Sequence, residues 1–164
     1  MNWILSNRCD PDTRLLADRH YNRQKVGAVG FVPPGRCLVL LADNKSAFLV
    51  TSFPYAQFVK HAWAGAFVCS AFRNEGNYLS SDLIRQACAC TIWKWPEIPD
   101  LGMVTFINME KVRKKRDFGR CYLRAGFKVC GKTKSGLLAL QLLPENFPKK
   151  EEPLIRDMQS CFTL

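Results

Sequence analysis

Between positions 80 and 95 the core-type residues recur every three to four places: Leu83, Ile84, Ala87, Cys88, Thr91 and Trp95. That spacing predicts a helix opened by a Ser80 or Ser81 cap and ended by Pro96–Pro99. Asp10-Pro11 predicts a second helix start, a cap followed by proline at the first helical position. That helix is expected to run to about Tyr21 and to bury Leu15 and Leu16. Two apolar runs, Cys37–Ala42 and Ala47–Ser52, flank Asp43-Asn44-Lys45-Ser46 and predict a hairpin. Further strands are expected at Val26–Val32, stopped by Pro33-Pro34-Gly35, and at Ala64–Phe72, Val104–Asn108 and Leu137–Leu143. A short helix is expected over Arg120–Ala125, with Gly126 as its terminator. Meander strands followed by alternating strands and helices predict an α/β (α+β) fold.

The 164 residues, 48% of them hydrophobic, suit one domain over 1–164, with a Pro- and charge-rich tail from about 144. No apolar run approaches membrane-spanning length. The eight cysteines form no Cys-x-x-Cys pair, and no leader-like segment opens the chain. A reduced, cytoplasmic protein is therefore expected.

Charge sharpens the picture. The formal net charge is +10, and Lys111–Lys134 holds ten Lys/Arg against one acid, Asp117. One-signed charge of this kind points to a phosphate-bearing partner, or otherwise to a solvated surface. Lys114, Lys115, Arg116, Arg120 and Arg124 are the candidate phosphate contacts. Tyr122 lies within this segment, where positive neighbours are expected to lower its pKa and fit it for proton transfer. Arg73-Asn74-Glu75-Gly76-Asn77-Tyr78 leaves a strand and enters a helix. The unpaired amides of a helix N-terminus favour an anion there, and Gly76 allows close approach. Phe53, Tyr55, Phe58 and Trp63, with Lys60 and His61, form an aromatic connection that either stacks on a base or covers the core. His20 and His61 belong to no spaced metal-binding cluster. A Walker loop, a dinucleotide fingerprint and a Gly-x-Ser-x-Gly elbow are all missing, which removes support for nucleotide hydrolysis and hydride transfer.

The run of strand, anion-facing turn, helix, strand, and then a helix bearing Tyr122 before Ala125-Gly126-Phe127 resembles the acyl-CoA-dependent N-acetyltransferase (GNAT) fold. The 73–78 turn is similar to a degenerate form of that fold's pyrophosphate loop. Within the superfamily the chain resembles the Mom family, DNA-modification proteins named for bacteriophage Mu. The matching residues are His20-Tyr21, Arg73, Ser80-Ser81, Thr105-Phe106-Ile107-Asn108 and Cys121–Phe127, in order across roughly residues 19 to 127.

This resemblance implies a central mixed, mostly antiparallel sheet flanked by helices. It implies conversion of adenine in double-stranded DNA to an N6-carbamoylmethyl-type adduct, which protects phage DNA from restriction. Acetyl-CoA or another acyl donor, and iron, are the implied participants. Tyr122, Arg73, Asn108 and Tyr21 would then serve catalysis, Glu75, Gly76, Ser80 and Ser81 the cofactor, and His20 the metal. The family pattern has an aspartate where this chain has Asn108. An amide neither takes a proton nor ligates as an anion, so either that carboxylate is not essential, or Glu110 or Glu75 substitutes, or the chemistry differs. Two alternatives stand beside this reading: an ordinary N-acetyltransferase for a small amine or protein, and a non-catalytic nucleic-acid binder on the same scaffold.

Overall fold

The computed structural model describes residues 1–112 and 117–156. The basic positions Lys114, Lys115 and Arg116 lie outside the described residues. The chain forms a mixed α+β fold around a seven-stranded, mostly antiparallel sheet of order β1-β2-β3-β4-β5-β7-β6. The strands are β1 (Trp3–Leu5), β2 (Cys37–Ala42), β3 (Ala47–Ser52), β4 (Phe67–Asn74), β5 (Met103–Ile107), β6 (Lys128–Lys132) and β7 (Leu138–Leu142). The helices are α1 (Pro11–Asp18), α2 (Ser80–Lys94) and α3 (Arg120–Arg124). Among the described residues, no helix is long and apolar enough to cross a membrane.

Strand alternation divides the core into two layers. On one face Leu38, Leu40, Leu49, Phe67, Ile107 and Leu140 pack under α2, through Leu83, Ile84, Ala87 and Cys88. On the other, Leu16 and Ala17 of α1 cover Val39, Leu41, Phe48 and Val50. α1 stops at Asp18, and Leu15 is 56% exposed rather than buried. Leu16 alone of that pair reaches the sheet, because adjacent helical positions lie about 100° apart.

Two other expectations change, and two strands are added. Leu79, not Ser80 or Ser81, is the N-cap of α2, and it makes no side-chain cap bond. Val26–Val32 is a succession of turns and bends, not a strand. Gly27 has φ 80°, and Arg23 Nη2 and Nη1 take the carbonyls of Ala28 and Gly30, which a sheet neighbour would need. β1 and β6 join the two sheet edges. β1 is too short for a pattern, and β6 (Lys-Val-Cys-Gly-Lys) is interrupted by a register shift between Val129 and Gly131.

The parallel pair β4–β5 positions the site. Its register runs Phe67↔Met103, Val68↔Val104 and Cys69↔Thr105, and stops there. β4 continues to Asn74 with β3, but Val50 faces Ala71 while Thr51 faces Cys69, so Ser70 is an extra residue. Such a bulge bends its strand. β4 and β5 part beyond it, and the gap opens beside Tyr122.

Candidate active site

The gap is a cavity of about 350 Å³. Tyr122 on α3, His20 and Tyr21 after α1, and Arg73 on β4 all line it, together with Cys69, Thr105 and Phe106. Lys111–Val112 and Phe118–Gly119, the residues on either side of the undescribed basic positions, line it too, as does Arg120. A neighbouring groove of about 520 Å³ shares Tyr21, Cys69, Phe106 and Lys111 with it, and adds Asn22, Arg23, Gln24 and Asn108. Tyr21 and Phe106 therefore stand between two connected spaces.

α3 begins at Gly119, whose φ of 71° suits glycine. A Cβ at that residue would lie 2.4 Å from Ile107 Cδ1 and 2.5 Å from Leu140 Cδ1. This close approach sets Tyr122 deep against the sheet, 8% exposed, edge-on to Phe127 and Phe72. Its hydroxyl lies 3.4 Å from Cys69 Sγ. Burial, with Cys69 beside it, pushes the phenol well above its ordinary pKa. The expectation of a lowered pKa is therefore overturned. Arg120 and Arg124 are exposed to solvent, which screens their charge, while desolvation acts on the buried hydroxyl directly.

Burial likewise raises Tyr21 and lowers His20, the latter with a smaller push from the Arg73 charge. The Asn108 backbone acts in the opposite direction on Tyr21. The His20 ring stacks on Tyr21 with centroids 4.6 Å apart, and its Nδ1 is hydrogen-bonded to Asn22 Oδ1. Asn22 Nδ2 donates in turn to Ser70 O at 3.1 Å, tying this loop to the bulge. Asn108 is not in the main cavity. It lines the groove, and its Oδ1 accepts the Glu110 N–H at 3.1 Å.

Arg73 reaches the cavity but is engaged. Its Nε meets Glu75 Oε1 at 2.7 Å and its Nη1 donates to Arg19 O at 2.8 Å. Arg19 grips both oxygens of Glu75, at 2.7 Å each. The Arg19 bonds, then the Arg73 bond, hold the Glu75 carboxyl down at about 2. Gly76, Ser80 and Ser81 lie beyond this clamp and do not line the cavity. A Cβ on Gly76 would sit 2.1 Å from Ser46 Oγ, so glycine is required here by the neighbouring hairpin turn. The turn's own amides are partly used: Glu75 N donates to Ser46 O at 2.8 Å and Gly76 N to Asn74 Oδ1 at 3.0 Å. Asn74 Nδ2 donates to Ser80 Oγ at 3.0 Å, and Ser81 is buried.

Two contributors carried no sequence signal. Cys69 is brought to Tyr122 through the pairing of β4 with β5, and the Arg19–Glu75 contact spans 56 positions. The aromatic connection divides. Phe53 packs on Phe67 and Trp95, and His61 and Trp63 pack against Phe106, whereas Tyr55 and Phe58 stay exposed. Among the described residues no three His, Cys, Asp or Glu side chains converge as metal ligands, and the described cysteines are free thiols.

No family model, no curated protein and no solved structure matches the chain.

Proposed function

We propose that this chain is a GNAT-like transferase that modifies a base in double-stranded DNA, placing an acyl-derived group on the N6 amine of adenine with the CoA thiol as leaving group. One observation carries the reading. Tyr21, Arg73 and Tyr122, from three separate stretches of sequence, meet at a single cavity where two parallel strands part, and Lys111 and Arg120 border it. The strand order and the bulge at Ser70 support the GNAT part. The DNA part is supported by charge. Among the described residues Lys111, Arg120, Arg124, Lys128, Lys132 and Lys134 form no ion pair with a carboxylate.

The residues fit an acyl-CoA donor at the start of α2, where Leu79 supplies no capping oxygen and the helix dipole favours a pyrophosphate. Such a donor would supply an activated acyl carbon. A phenol held protonated by burial gives a proton rather than taking one, so Tyr122 is assigned as the general acid for the leaving group. Tyr21 and Phe106 orient the acceptor base, and Asn108 contributes through its backbone to Tyr21. A resident iron does not fit. His20 has its Nδ1 engaged by Asn22, no second and third acidic or imidazole ligand stand near it among the described residues, and Asn108 offers no carboxylate.

A non-catalytic DNA binder is favoured by one feature, the engagement of Arg73 by Glu75. Mass spectrometry of nucleosides from cells expressing the chain separates the two readings. Modified adenine is expected, and Tyr122→Phe should lower its yield by roughly 10²–10⁴-fold. An unmodified adenine pool, identical for Tyr122→Phe, supports the binder.

A further inference from the structure

We propose that the turn Lys25–Ala28 is a rigid finger that enters the DNA duplex beside the site and fills the space left by the extruded base. This rests on the DNA reading above and goes beyond it. The turn is closed by the Ala28 N–H on the Lys25 carbonyl at 3.3 Å, with Gly27 supplying the positive φ of a type II turn. Val26 projects from its tip 69% exposed. A surface tip of this kind is usually mobile and polar. Here it is fixed and apolar.

The fixing is specific. Arg23, its side chain only 8% exposed, donates Nε to Asp18 Oδ1 at 2.8 Å, Nη2 to Ala28 O at 2.7 Å and Nη1 to Gly30 O at 3.1 Å. The same Asp18 oxygen accepts the Gly27 N–H at 3.1 Å. One largely buried ion pair thus fastens both sides of the turn to the end of α1. The clamp also places Phe31 and Val32 on the second core, but Val26 itself contributes little to burial.

Position and charge point to the occupant. Gln24, immediately before the turn, is part of the groove wall with Tyr21, Asn108 and Lys111. No acidic residue occurs from Arg19 through Ala42, Arg23 neutralises the Asp18 carboxylate beneath the tip, and Lys25 beside Val26 has no carboxylate partner among the described residues. An exposed apolar point with an unpaired cation beside it, two residues from the groove wall, is complementary to a stacked, phosphate-lined polymer. An extruded base leaves two neighbours unstacked, at a cost of a few kcal/mol. A β-branched side chain with one preferred rotamer, on a turn already ordered, fills that gap with little further loss of freedom.

The test uses a short duplex with one tetrahydrofuran abasic residue opposite thymine, and its intact counterpart with adenine there. The whole chain should bind the abasic duplex about tenfold tighter at low salt, because the gap is already open. Val26→Ala should reduce that preference to about twofold, with intact-duplex affinity nearly unchanged. Arg23→Gln, which frees the turn and leaves Val26 in place, should do the same, with a thermal melt to show that the chain remains folded. If the original chain has no preference, or Val26→Ala keeps it, the finger is overturned while the DNA reading stands. If neither duplex binds at low salt, the DNA reading fails and the finger falls with it.

Discussion

Two regions of this molecule carry cations and treat them oppositely. Around α1 and the end of β4, arginines are matched to acids: Arg19 and Arg73 to Glu75, Arg23 to Asp18, and Arg156 to Asp10 at 2.9 Å. Asp10 is 3% exposed, caps α1 through the Asp12 N–H, and also accepts the Ser6 hydroxyl at 2.6 Å. Around α3 and β6 the described cations have no such partners. Sequence composition counts both groups alike. The first group holds loops to helices and strands, and the second leaves its charge unpaired, which on the proposed reading would meet a phosphate backbone, with affinity from counterion release. The cavity lies between them.

The sharpest way to break this contrast is to neutralise the second group. Lys128, Lys132 and Lys134 all changed to Ala should flatten the dependence of DNA affinity on salt by about 3 in log–log slope, with the melting temperature little altered. A salt titration of duplex binding measures it. An unchanged slope would make β6 a solvated edge and end the contrast. On the matched side the expected effect is on stability. Gly76→Ala drives a methyl into Ser46, whose Oγ would be 2.1 Å away, and should cost about 1–3 kcal/mol in denaturant unfolding. Adding Ser46→Gly should recover most of that loss, because it removes both the Oγ and the Cβ that the new methyl meets.

The smallest effect is a pH dependence. Glu75 is lowered from 4.5 to about 2 by Arg19 first and Arg73 second. Its ionised form therefore stabilises the fold at neutral pH, and that contribution is lost as pH falls from 4.5 toward about 2. Glu75→Gln should make the melting temperature less sensitive to acid over this range, and should leave the salt slope of DNA binding untouched.

The elements that were readable in the sequence are those whose period matches their burial. α2 presents Leu83, Ile84, Ala87 and Cys88 to one sheet face, and the β2–β3 hairpin alternates between two cores, so both were legible. Val26–Val32 has the composition of a strand, yet Arg23 binds its carbonyls, an interaction that composition does not encode. The site was legible as residues and not as states. His20, Tyr21, Arg73 and Tyr122 do meet, but the raised pKa of Tyr122 follows from its depth under Gly119 and from Cys69, 53 positions away. The engagement of Arg73 likewise depends on Arg19, which only the docking of α1 beside β4 brings close.

The bridge between Ile4 and Leu154 has a consequence for how the chain is made. Leu5 N donates to Leu154 O and Leu154 N to Trp3 O, each at 2.8 Å, so the outer side of β1 is covered by a segment made long after it. During synthesis that side, with Trp3 at its start, stays open until residue 154 has left the ribosome. A nascent or prematurely ended chain would present a bare strand to its neighbours, the arrangement from which aggregates grow.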